Sequence, residues 1–339
     1  MNILLNNLQH QLTDYLAAQP GVYTDVKVED FRKVGGRWMT GVYAFRLSYV
    51  EAGQRSVQRL VLKTYANDAE GIDRAMKERH ALFNLRAARY PTPGVMLVEI
   101  DPQPLGRPFV IMEYVEGTAL ADLLKAADPA QRHALIAQFV GLLVDLHERG
   151  PQVLVKTLSA MTPLALINRE IHVMRGLADK RRQAEFLPVI DWLHANRDRV
   201  PCTQPVVTHR NYHPWNVLMT PAGVPYVIDW AWQISDARFD VASTLQSLER
   251  EGLGDLRDDV LAEYERVTGG PVAELAYFEV VAAVRWLMSV SHEARQRLNS
   301  DKAGHSPFML SMREPAAAAT ALIAAVTGIN LPDADALLM

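Results

Sequence analysis

The chain has 339 residues, 49% of them hydrophobic and 22% charged, the composition of an ordinary globular protein with room for one large or two medium domains. A formal net charge of −4 argues against nucleic acid as a partner. The one cysteine, Cys202, excludes an internal disulfide and fits a reducing compartment; beside an apolar run it reads as inert packing before it reads as a reactive thiol.

Taken in order, residues 1–19 place Leu5, Leu8, Leu12, Tyr15 and Leu16 at helical spacing, an amphipathic helix. It lacks the basic start of a signal peptide. Its polar face carries no Lys or Arg, so docking on its own domain is expected rather than on a membrane. Residues 26–50 read as two strands joined through Gly35-Gly36-Arg37-Trp38-Met39-Thr40-Gly41. Residues 56–65 form a third strand, whose apolar run Lys63 interrupts. Lys63 is either a head emerging into water or a buried cation. The helix expected over 72–86 bears on that choice. Its apolar face holds Ala75, Leu82 and Leu85, and Glu78 lies on the same face, whereas Lys77 and Arg79 point off it. A carboxylate on a buried face requires a cation, and Lys63 is the available partner. Strands follow over 95–100 and 108–114. Glu113-Tyr114-Val115-Glu116-Gly117 breaks the second, giving a division into 1–116 and 117–339.

Thr118 reads as the N-cap of a helix over 119–127. Pro129 opens a longer helix to His147 with Leu135, Phe139, Leu142, Leu143 and Leu146 as its stripe. His147, at the helix end, is expected near the last carbonyls. Residues 158–199 hold two or three charged helices, with Lys180-Arg181-Arg182 as a solvated face. Residues 205–208 are a short buried strand, and His209 to Trp215 an ordered loop broken by Pro214. Two more short strands, 217–219 and 224–228, flank the turn Thr220-Pro221-Ala222-Gly223. This hairpin brings Asn216 and Asp229 to one end of neighbouring strands. An amide oxygen and a carboxylate there make a hard site suited to Mg²⁺. The acidic stretch over 249–265 either recruits a cationic ligand or is the outer face of a surface helix. Trp230, Trp232, Tyr277 and Trp286 either line a cage for a quaternary ammonium or pack the core. The apolar run 316–326 is too short to span a bilayer, so the expectation is a soluble, cytoplasmic protein.

The stretch His209-Arg210-Asn211-Tyr212-His213-Pro214-Trp215-Asn216, followed by Ile228-Asp229-Trp230, resembles the protein-kinase catalytic loop and its metal-binding Asp. More narrowly it resembles the aminoglycoside phosphotransferase and choline kinase family. That family reads His-Gly-Asp-x-His-x-x-Asn, then Ile-Asp-Trp, then Gly-Asp-Pro-x-x-Asp-Leu-Ala. Ser235-Asp236-Ala237-Arg238-Phe239-Asp240-Val241-Ala242 is similar to the last segment.

The resemblance implies an α+β, protein-kinase-like two-lobe fold: a small antiparallel-sheet lobe with one key helix, and a larger, mainly helical lobe. ATP (or GTP) and Mg²⁺ are then expected in the cleft. It implies that Lys63 clamps phosphates and Glu78 aims it, that Asn216 and Asp229 hold the metal, and that backbone at Glu113 and Val115 meets the adenine. The connection containing Gly36 then covers the phosphates through backbone N–H groups, although any hairpin turn can carry glycine. His209 belongs to the catalytic loop. Asp240 supports that loop's backbone or simply caps the helix over 241–248, and Asp236 braces the same turn. The family's catalytic Asp falls on Asn211, which cannot take up a proton; general-base help is worth ~10²–10⁴-fold. The function implied is transfer of the nucleotide γ-phosphate to a hydroxyl of a small molecule, slowed by Asn211. The alternative is a nucleotide-binding pseudokinase. Retention of Lys63, Glu78, Asn216 and Asp229 favours transfer.

Overall fold

In the computed structural model, which describes residues 2–19, 24–36, 40–157, 161–299 and 307–338, the chain begins with α1 (Asn2–Ala17), β1 (Thr24–Gly35), β2 (Gly41–Glu51), β3 (Gln54–Thr64), α2 (Ala69–Ala87), β4 (Val95–Glu99), β5 (Phe109–Glu113) and β6 (Thr118–Ala119). It continues through α3 (Leu120–Ala126), α4 (Pro129–Glu148), α5 (Ala165–Arg181), α6 (Leu187–Asn196), β7 (Val206–Thr208), β8 (Val217–Met219), β9 (Pro225–Val227) and β10 (Gln233–Ser235). Four helices and a short fifth close it: α7 (Ala237–Arg250), α8 (Arg257–Thr268), α9 (Leu275–Asn299), α10 (Pro307–Thr327) and α11 (Ala334–Leu338). Two compact units result, Met1–Ala119 with Val217–Trp232, and Leu120–Asn216 with Gln233–Met339.

The first unit is built on an antiparallel sheet of order β1-β2-β3-β5-β4. One face buries Phe45, Leu47, Leu60, Leu62, Phe109 and Ile111 against α1, whose Leu12 and Leu16 are fully enclosed. The amphipathic helix therefore docks on its own sheet, as a polar face without Lys or Arg suggested. α2 buries Ala75, Glu78, Ala81, Leu82 and Leu85. It starts three residues before the expected 72, because the Asp68 side chain caps it by accepting from the Gly71 N–H at 2.7 Å.

A second small sheet, β6-β8-β9, corrects two expectations. Thr118 is not an N-cap: it pairs with Met219, Ala119 pairs with Leu218, and the helix begins at Leu120. The hairpin over 217–232 also groups with the first unit rather than with 117–339. The reasons are local. β8 adds to β6, the Val227 N–H reaches the Pro91 carbonyl at 2.8 Å, and Trp232 Nε1 donates to the Lys77 carbonyl at 2.8 Å.

The second unit is helical. Ile171, Met174, Phe186, Ile190, Leu193, Val281, Val284, Leu287 and Ile323 meet in its core. α4 turns Ile136, Phe139, Val140, Leu143, Val144 and Leu146 inward; Leu135 and Leu142, expected in the stripe, are only half-buried. Asp128 and Gln131 close a capping box at its start. β10 pairs with β7 in a two-stranded ladder, an element the sequence did not signal. α7 starts at Ala237 under an Asp236 cap, so Asp240 lies inside the helix and the simple cap reading for it fails. Among the described residues no helix is long and apolar enough to cross a membrane.

Candidate active site

In the first unit, β3 lies between β2 and β5 and carries Lys63 opposite Val42 and Val110. Its Nζ is 2.6 Å from Glu78 Oε2 and 2.5 Å from Asp229 Oδ1. The Tyr65 hydroxyl donates to the same Glu78 oxygen. Burial alone would pull the Lys63 pKa down, but the charges of Asp229 and Glu78 outweigh it and hold it above the usual lysine range. Burial, then the Glu78 carboxylate, push the Tyr65 hydroxyl well up, so it stays a donor. Glu78 is 1% exposed, and a cation with a hydroxyl donor is what lets a carboxylate remain there. Asp229 is far more open, 45% by side chain. Its φ of 64° lies in the left-handed region that L-residues rarely occupy. Trp230, next in the chain, is anchored by Nε1 to the Val227 carbonyl at 3.0 Å and by an edge contact to Tyr90.

Gly36 has a φ of 103°, and a Cβ there would fall 2.4 Å from the Thr40 carbonyl oxygen, so only glycine fits. Arg37, Trp38 and Met39 of the same connection lie outside the described residues. The Glu113 N–H is engaged by the Gly94 carbonyl at 2.7 Å and the Tyr114 N–H by the Arg59 carbonyl at 3.1 Å. The Glu113 carboxylate is turned onto its own unit, accepting from Gly94 N–H at 2.9 Å and Arg86 Nη1 at 2.8 Å. Among the described residues no group accepts the Val115 N–H.

In the second unit, β7 delivers the loop that begins at His209. The Asp240 carboxylate, fully buried on α7, accepts from the His209 N–H at 2.6 Å and the Arg210 N–H at 2.9 Å. Burial would raise its pKa; a hydrogen bond and charge from His147, then the loop amide, hold it below the usual range. His147 thus faces Asp240, with Nε2 at 3.5 Å, and meets the Tyr264 hydroxyl through Nδ1 at 3.1 Å. The helix-end carbonyl reading of His147 is corrected: Tyr264 and Asp240 draw its ring across α4 into the interior. Tyr212 seals the loop beneath, donating to the Phe139 carbonyl at 2.6 Å and stacking on that ring. The Asn216 amide nitrogen donates to the Asn211 carbonyl at 2.9 Å, so its carbonyl oxygen is the end left to serve as a ligand. Asn216 directly precedes Val217, which pairs with Val227, two residues before Asp229. An amide oxygen and a carboxylate are the hard donors magnesium takes. Among the described residues no group of three or more His, Cys, Asp or Glu gathers as a metal cluster.

Other expectations resolve as structure. Trp230 and Trp232 are held by Tyr90 and His80 in the first unit. In the second, Tyr277 is a core residue bonded to the Leu193 carbonyl, and the Trp286 ring lies under Arg250. Local packing accounts for each ring within its own unit. The acidic stretch is partly neutralised by Arg132 on Asp255, Arg257 on Glu249 and Arg266 on Glu263, a surface-helix pattern. Burial, then Asp236, push the Cys202 thiol up to about 12, which makes it a poor nucleophile. Sequence reasoning missed Tyr65 and Glu170. Glu170 carried a signal of the same kind as Glu78, a carboxylate on the apolar face of Ile167, Ile171 and Met174.

A family model described as "Phosphotransferase enzyme family" matches residues 40–276. Over 85 residues the chain is 37% identical to acyl-CoA dehydrogenase family member 11 of Pongo abelii, which is 25% of this chain and only 10% of that protein. Among solved structures it is similar to a candidate aminoglycoside phosphotransferase from Ralstonia eutropha JMP134, with TM-score 0.67, 15% identity, and 94% and 98% of the two chains covered. It is similar to choline kinase LicA from Streptococcus pneumoniae, with TM-score 0.61, 15% identity, and 94% and 99% covered. A third is a thermostable mutant of aminoglycoside phosphotransferase APH(4)-Ia in a ternary complex with AMP-PNP and hygromycin B, with TM-score 0.59, 18% identity, and 94% and 98% covered. At these identities the likeness establishes the fold, which is protein-kinase-like, with an antiparallel-sheet N-terminal region and a helical C-terminal region.

Proposed function

Because this chain belongs to the phosphotransferase enzyme family, we propose that it is a nucleotide-dependent small-molecule kinase whose chemistry is slowed by Asn211. The observation that carries this reading is the buried Lys63, held between Glu78 and Asp229. A buried ion pair is weak evidence for stability alone. A fixed ammonium is what positioning a polyphosphate requires. Similar proteins support the ligand classes: LicA has been solved with AMP, and APH(4)-Ia with AMP-PNP and hygromycin B.

In this reading Lys63 holds the nucleotide phosphates and Glu78 aims it, with Tyr65 behind. The connection at Gly36 covers the phosphates, and the Val115 N–H and the Glu113 backbone meet the base. Asn216 and Asp229 are the residues that would hold Mg²⁺, which would supply positive charge to offset that of the phosphates. The acceptor hydroxyl oxygen bonds to the γ-phosphorus as the bond to the bridging oxygen breaks, and the nucleoside diphosphate leaves. The hydroxyl proton must go to phosphate or water, because the Asn211 amide can orient the hydroxyl but cannot take it. Asp240 and His209 keep the loop in register. The lone cysteine with its raised pKa fits work in the reducing cytoplasm.

Asn211 also favours a second reading, a pseudokinase that binds nucleotide without transfer. Calorimetric titration of ATP, and then GTP, with and without Mg²⁺ tests the common premise. Magnesium-dependent binding supports the site. No binding of either nucleotide removes both readings.

A further inference from the structure

We propose that Arg210, gripped by Glu170 and packed on Phe239, is a positioning residue that sets the backbone of the loop immediately ahead of Asn211; its catalytic meaning rests on the phosphoryl-transfer reading above. Arg210 has a φ of 72°, a conformation glycine adopts freely and a side-chain-bearing residue does not. Backbone preference alone would put glycine here. The arginine side chain is instead 5% exposed, with Nη2 bonded and Nη1 buried without a hydrogen-bond partner among the described residues. Its Nη2 lies 3.2 Å from each oxygen of Glu170, and its guanidinium sits 3.6 Å from the centre of the Phe239 ring. Glu170 is itself buried and also accepts from Arg285 Nη1. The Arg285 guanidinium lies over the same Phe239 ring at 5.7 Å.

The constellation therefore ties one loop residue to three helices, through Glu170 on α5, Phe239 on α7 and Arg285 on α9. Phe239 immediately precedes Asp240, which accepts the Arg210 backbone N–H. Side chain and main chain of residue 210 are held by adjacent residues of α7. Two guanidiniums around one carboxylate keep Glu170 ionised although it is buried. Burial pulls Arg210 down to about 10, which still leaves it charged at neutral pH. A buried charge network of this kind is a poor source of stability, since well-packed apolar residues do as well. What it supplies is a single geometry: rotation of the loop about residue 210 would break the fork to Glu170. The next peptide belongs to Asn211, whose carbonyl receives the Asn216 amide.

The test is Arg210→Gly, made in the parent and in Asn211→Asp. It relieves the backbone conformation and leaves Glu170 paired with Arg285, so the variant has a route to fold. Hydrogen exchange should show the amides of residues 209–211 losing about tenfold or more of their protection. In the Asn211→Asp background kcat should fall by ~10²-fold, the effect of a misplaced reacting group, while the nucleotide Kd stays within about twofold because the Lys63 clamp belongs to the other unit. Arg285→Gln should move exchange the same way by less. Retained protection with unchanged kcat overturns the proposal, making Arg210 mere filling. A raised KM for the acceptor with kcat intact also overturns it, making Arg210 a substrate contact. If no acceptor is phosphorylated even with Asn211→Asp, the transfer reading fails separately. The exchange result then decides alone: lost protection supports the positioning role and retained protection overturns it.

Discussion

Asparagine matches aspartate in shape but not in basicity, so position 211 separates geometry from chemistry. Asn211→Asp should leave nucleotide affinity unchanged and raise phosphoryl transfer by ~10²–10⁴-fold, read as product formation against a panel of hydroxyl acceptors. A flat rate on a true substrate would mean that residue 211 does not face the acceptor. Tyr65 tests the other unit at the same scale. Tyr65→Phe removes the hydroxyl that Glu78 accepts from and should cost about 1–3 kcal/mol in thermal or denaturant unfolding. It should also weaken nucleotide binding several-fold, because Glu78 then holds Lys63 less firmly. Unchanged binding would confine Tyr65 to the fold. Lys63 and Glu78 were legible because a carboxylate on an apolar helix face demands a partner. Tyr65 was not, since nothing in Lys63-Thr64-Tyr65 tells which way the ring turns after the strand ends.

At the scale of elements, the start of α2 governs where Glu78 stands. Asp68 caps it, and a Cβ on Gly71 would come 1.9 Å from the Ala66 carbonyl oxygen. Gly71→Ala therefore forces the first turn away from β3, with an expected loss of about 1–3 kcal/mol. Calorimetry should also report weaker nucleotide binding. A variant with wild-type melting and binding would show that the turn relaxes without moving Glu78. Long amphipathic elements such as α1, α2 and α4 were readable from periodicity, and their ends were off by a few residues. β6 and β10 were not readable. Runs of two or three residues carry no period, and both exist only because β8 and β7 lie alongside them. That is why Thr118 read as a cap and why Gln233 to Ser235 carried no strand signal.

For the whole molecule, the chain passes between its units three times, after Ala119, Asn216 and Trp232. Only the first passage left a mark in the sequence, near Gly117, because the other two follow from strand pairing rather than composition. The second unit is fastened around ionised, buried carboxylates, and this sets its response to acid. Asp240 and Glu170 have pKa values below those of an unfolded chain. The unfolded state therefore binds more protons than the folded one as pH falls below about 4. Their stabilising contribution is whole above that pH and is lost as pH drops through the folded values. Asp240→Asn removes one of these charges while keeping the shape, leaving the two loop amides a weaker acceptor. It should cost roughly 1.5–3 kcal/mol at pH 7. The gap to wild type should narrow steadily below about pH 4 and close once Asp240 is protonated in both states. Melting temperatures of the two proteins from pH 7 to pH 2 measure this directly. A gap that stays constant across that range would mean that Asp240 acts through its shape alone, and the loop would then owe its fixity to the hydrogen bonds and not to the charge.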